Sequence, residues 1–112
     1  MNAKVMKEFV ENTSPTTAHI ATATIRLTYS GATIYTNFQP KALMFISEDW
    51  NHSGSSSTPI VGICPSRKFG HGILLYRYET KVGQNSLDVT WGENYVTLSA
   101  NMGVTVYVTV FG

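Results

Sequence analysis

The sequence predicts an all-β domain of about eight antiparallel strands, arranged as a two-sheet sandwich or jelly roll. Three observations carry this expectation. Val104, Val106, Val108 and Val110 alternate strictly with Thr105, Tyr107, Thr109 and Phe111 before Gly112. That period of two fits a pleated strand with a core face and an outer face, and fits a helix with its 3.6-residue repeat poorly. The chain is also rich in Thr, Ser, Val, Gly and Tyr, residues that favour strands and tight turns. Finally, short apolar runs recur at spacings of roughly 8 to 15 residues, with no intervening segment suited to a crossover helix.

Taken in order, Ala3, Met6, Phe9 and Val10 fall near helical spacing among Lys4, Lys7, Glu8 and Glu11, the pattern of a short amphipathic helix. The alternative is an extended lead-in, with Asn12-Thr13-Ser14-Pro15 as linker. Both readings make residues 1–15 a lead-in and residues 16–112 the β domain. Ala21, Ala23, Ile25, Leu27 and Tyr29 then alternate with Thr22, Thr24, Arg26 and Thr28, a half-buried strand turned by Ser30-Gly31. A second strand is expected over 34–38, ended near Pro40, which cannot donate to a ladder. Ala42 to Ile46 is apolar on both faces, as in an interior strand covered on two sides.

Residues 47–59 show no apolar periodicity and contain the tract Ser53-Gly54-Ser55-Ser56-Ser57, so they read as a loop. Further strands are expected at 60–64 and 73–78, separated by the loop Pro65 to Gly72, and Val82 to Ser86 reads as a turn. Leu87, Val89 and Trp91 alternate with Asp88 and Thr90, Gly92-Glu93-Asn94 makes a hairpin, and Val96, Leu98 and Ala100 return. Asn101-Met102-Gly103 leads into the valine strand.

With 112 residues, the chain has room for one core but little for an elaborate internal active site. Eight basic and seven acidic side chains leave a formal net charge of +1, which argues against a nucleic-acid surface. No run approaches the roughly 20 apolar residues that cross a bilayer, and Met1 to Glu11 lacks the continuous apolar stretch of a secretion signal. Neither membrane insertion nor a cofactor is therefore expected. The single cysteine, Cys64, excludes an intrachain disulfide and sits in an apolar run that reads as a buried structural thiol.

Catalysis finds few candidates. His19, His52 and His71 are present, but no serine occupies a G-x-S-x-G elbow. Glu48, Asp49 and His52, joined by His71, offer oxygen and nitrogen donors in a spacing that matches no metal motif, and a solvated acidic loop is the plainer reading. The expectation is a protein that is not an enzyme. Trp50 is the more informative residue: an indole in a Ser/Gly/Asn-rich loop offers an apolar plate with one donor, suited to stacking on a sugar ring, or else folds back to cap the domain end. Arg67, Lys68, Phe69 and His71, with Gly70 and Gly72 beside them, form a second candidate loop for a small anionic or polyhydroxyl ligand, or else a solvated turn. Trp91, in phase with Leu87 and Val89, is assigned to packing. The outer face of the last strand, Thr105, Tyr107, Thr109 and Phe111, is the expected meeting place of copies.

Two stretches carry a resemblance. Asn37-Phe38-Gln39-Pro40-Lys41, followed by the apolar Ala42 to Ile46, resembles a G-F-x-P-K start with Asn37 in place of the usual glycine. Val89-Thr90-Trp91 through Val96-Thr97-Leu98-Ser99, with Tyr107, Phe111 and Gly112 at the end, is similar to a W…F-x-L hairpin and a closing Y-x-x-x-x-F-G pattern. Both occur in the small β-sandwich domains of bacteriophage and prophage tail and tail-fibre proteins, and the likeness covers about two thirds of the chain. It implies a non-enzymatic virion component, made in the cytoplasm of a bacterial host and built into the virion tail as a homotrimer beside other tail proteins. It further implies contact with the host surface through inter-strand loops. On that reading Trp50 stacks on a host-surface glycan, and Asp49, His52, Arg67 and His71 hydrogen-bond to it. The alternative is a purely structural decoration or capping module.

Overall fold

The computed structural model describes residues 19–48, 59–78 and 81–112. They form eight strands: β1 (Ile20–Leu27), β2 (Ala32–Tyr35), β3 (Ala42–Ser47), β4 (Ile60–Cys64), β5 (His71–Tyr78), β6 (Lys81–Trp91), β7 (Tyr95–Ser99) and β8 (Val104–Phe111), with no helix among the described residues. The all-β expectation is met. The lead-in, residues 1–15, lies outside the described residues.

Every ladder is antiparallel, and all eight strands belong to one sheet in the order β1-β8-β3-β4-β5-β6-β7-β2. The expected two separate sheets are therefore not what the hydrogen bonding builds. The sheet curls until its two edges, β1 and β2, approach each other, giving a nearly closed barrel. Residues 28–31 join these edges: Gly31 N–H donates to Thr28 O at 3.2 Å, and its φ of 90° lies in the left-handed region that glycine enters without strain. The Ala100 N–H also donates to Thr28 O, at 3.1 Å, so one carbonyl ties the turn to the end of β7.

The interior is filled with apolar side chains, as an eight-stranded barrel of this size requires. Val106, Val108 and Val110 of β8 are fully buried. Each is sandwiched in register between a neighbour on β1 and one on β3: Ile25 and Ser47, Ala23 and Phe45, Ala21 and Leu43. From the opposite wall, Leu74, Leu87, Val96 and Leu98 close the same core. The alternation in β8 thus points the valines inward, as expected. On its other face Tyr107 is exposed, whereas Thr105, Thr109 and Phe111 are half-buried between flanking strands.

Two elements depart from the sequence reading. Val82 to Ser86, expected to turn, is regular strand within the eleven-residue β6. Its weak propensity is compensated from across the ladder, because Gly83 pairs with Tyr76 and the tyrosine ring covers the place a side chain would take. Also, β3 is not covered on both faces: Leu43, Phe45 and Ser47 are buried while Met44 and Ile46 face outward and are exposed.

Candidate functional site

The barrel has two ends, and β4 runs between them. One end holds the bases of the segment linking β3 to β4, and the other holds the connection 65–70 from β4 to β5. With a rise of about 3.3 Å per residue, the five-residue β4 separates the two by roughly 15 Å.

At the first end, the β3–β4 segment leaves and returns through bonded positions. Ser47, 1 % exposed, is the buried polar residue among the described residues, and its Oγ accepts the Ile60 N–H at 2.9 Å. This bond rivets the last residue of β3 to the first of β4. Beside it, Glu48 N–H donates to Thr105 O at 3.2 Å and Arg77 N–H donates to Pro59 O at 3.0 Å. The base is thus held from β8 on one side and β5 on the other. Asp49, Trp50 and His52, the expected glycan contacts of this segment, lie outside the described residues.

At the second end, the connection 65–70 is tied to the barrel through its own candidate residues. Arg67 Nη1 donates to Pro40 O at 2.8 Å and Gly92 O at 3.3 Å, and its backbone N–H donates to Lys41 O at 2.8 Å. The guanidinium therefore locks three connections together, those after β2, β4 and β6, because the two hydrogens of the Nη1 amino group, fixed in the guanidinium plane, reach two carbonyls at once. Trp91 is half-buried against the core, as expected for packing, and its Nε1–H donates to Phe69 O at 2.8 Å. Cys64 is buried, with Sγ 3.7 Å from each of the Ser66, Phe69 and His71 carbonyl oxygens. Burial pushes its thiol above the ordinary value, with a hydrogen bond to the Ser66 backbone acting in the opposite direction.

His71 belongs to β5 and not to the loop. Its Nδ1 lies 2.8 Å from Asp88 Oδ1 on β6, its register partner, and both side chains are open to solvent. Asp88 escaped the sequence reading because seventeen residues separate it from His71, and only the ladder register brings them together. Glu48 and His71 stand at opposite ends of the barrel, so they cannot share a metal ion, and the described residues hold no cluster of three metal-ligating side chains.

The sequence reading also missed an outward apolar surface. In one row across the sheet, Tyr107, Ile46, Val61 and Leu75 are register neighbours; in the next, Thr109, Met44, Ile63 and Ile73. The signal was present in the two-sided apolar runs of β3 and β4, but nothing local indicated which side the chain would leave open. No helix among the described residues is long and apolar enough to cross a membrane. Comparison with family models, curated proteins and solved structures returns no match for this chain.

Proposed function

We propose that this chain is a non-enzymatic, loop-presenting module of a virion tail or tail fibre that contacts a host-surface glycan through the segment between β3 and β4. The setting rests on the resemblance of Asn37 to Ile46 and of Val89 to Gly112 to tail-protein β-sandwich domains; on this reading opposite walls of the barrel stand for the two sheets of a sandwich. The observation that carries the binding role is the riveted base of that segment. A ligand loop costs less entropy to engage when its ends are already fixed, and the Ser47–Ile60 bond fixes them.

Within this reading Trp50 is the stacking residue, with Asp49 and His52 as polar partners. Arg67 and His71 recede from this ligand site because they stand at the other end of the barrel, where Arg67 Nη1 donates to Pro40 O and Gly92 O and His71 Nδ1 pairs with Asp88 Oδ1. The test is Trp50→Ala in the full chain, with fold checked by circular dichroism. Adsorption to host cells or binding on a glycan array is expected to fall at least tenfold, the loss of roughly 1.4 kcal/mol of stacking. Unchanged binding removes the glycan role and leaves the structural alternative, a decoration module without a receptor.

A further inference from the structure

We infer that the outer face of β8, β3, β4 and β5 is covered by a second copy of this chain. The six side chains that define it, Tyr107, Ile46, Leu75, Met44, Ile63 and Ile73, are each between 36 % and 57 % exposed. They form two adjacent rows across four hydrogen-bonded strands, so they are one continuous surface and not scattered residues.

Area and sequence both point to a permanent cover. Together these side chains leave roughly 550 Å² of mostly apolar surface open, at the upper end of what a monomeric protein shows. Two copies placing this face together would bury more than about 1,000 Å² before any rim is counted, the level a specific interface needs. Strands with apolar side chains on both faces, as β3 and β4 have, are normally covered on both, and the described residues cover only one: Leu43 and Phe45 are inside, Met44 and Ile46 outside.

The surroundings select the occupant. Neither row contains a charged residue; the charges begin beyond them, with Glu48 and Arg77 toward one end and the His71–Asp88 pair toward the other. The flanks are polar, Thr22 and Thr24 on β1 and Gln84 and Ser86 on β6. An apolar centre with neutral polar flanks, and with both signs of charge only at its two ends, meets its own copy without a like-charge clash at its centre, and its two rows offer a polyanion no counter-charge. A bilayer is a poor fit, because a membrane barrel needs an apolar band around its whole circumference and a polar lumen. Here Thr22, Thr24, Gln84, Thr90 and Thr33 face out on the remaining strands, and the lumen is packed with valine and leucine. The face centred on β3 and β4 thus replaces the last strand alone as the meeting place of copies.

The experiment is light scattering of the full chain across a concentration series. The wild-type chain is expected at a multiple of 12.3 kDa. Ile63→Lys is expected to lower the mass to that of one chain with an unchanged circular dichroism spectrum, and Thr22→Lys, on the polar flank, to leave the assembly intact. Should Ile63→Lys not fold, Ile73→Ser, at the most exposed position of the face, gives the same reading. A wild-type monomer at every concentration overturns the inference, as does an assembly indifferent to both face variants, and so does a monomer that binds phosphatidylcholine vesicles. This inference is independent of the glycan reading: Trp50→Ala is expected to retain the assembled mass whatever it does to adsorption.

Discussion

The ring of Phe45 lies over Gly62, its direct partner on the adjacent strand, so closely that a Cβ at position 62 would overlap three ring carbons. The barrel wall is thereby thinned at β4 to admit the largest fully buried side chain of the core. Gly62→Ala is expected to cost about 1–3 kcal/mol or more, because a methyl group there must displace a packed ring. Chemical denaturation measures it. In the Phe45→Leu background the same glycine substitution is expected to cost less, since the clash is relieved, and equal costs in both backgrounds would contradict the packing described.

Ser47 gives a second prediction. Removing its hydroxyl leaves the Ile60 N–H buried without its acceptor, a loss of about 1–3 kcal/mol. Ser47→Ala is expected to show that loss in thermal unfolding, together with faster hydrogen exchange at the Ile60 amide. Amides of β1 are expected to keep their protection relative to the new global stability.

Arg67→Ala is expected to lower stability by about 1.5–3 kcal/mol, the worth of hydrogen bonds from a charged donor, because two carbonyls on different connections lose it together. Arg67→Lys is expected to recover only part, since an ammonium lacks the planar fork. If Arg67 served only an external ligand, both variants would unfold as the wild type does.

Cys64 sets a pH dependence. Burial holds its folded-state pKa above the unfolded value, so the unfolded chain releases the thiol proton first as pH rises. The contribution is fully present below the unfolded pKa and is lost as pH climbs through the folded one. Stability is therefore expected to decline on the alkaline side in the wild-type chain, and less so in Cys64→Ala when each is compared with its own value at neutral pH. A maleimide is expected to label the native protein slowly at pH 8 and the denatured protein at once; rapid native labelling would contradict the burial.

Much of the fold was legible because side-chain alternation is a local property. The valines of β8, the alternation along β1 and the Gly92-Glu93-Asn94 hairpin between β6 and β7 each follow from residues a few positions apart. What was illegible depended on partners distant in sequence. Val82 to Ser86 looks like a turn until Tyr76 is seen to fill the space over Gly83. One sheet and two separate sheets share the same strand list and differ only in which strands pair. The candidate residues fared likewise: Arg67 and His71 were found as polar residues beside glycines, but their partners Pro40, Gly92 and Asp88 are supplied by other connections and strands.

The incomplete closure between β1 and β2 has a mechanical consequence. A ring hydrogen-bonded throughout can open only by breaking a ladder, whereas this wall has a slit held by the 28–31 turn and by side chains inside it. Opening is therefore expected at this one place on the circumference. β2, paired over four residues with β7 and tied once more by Thr36 N–H to Asn94 O, is the leaf expected to swing first, and early hydrogen exchange at its amides, before any other strand lets go, is the measurement that shows it.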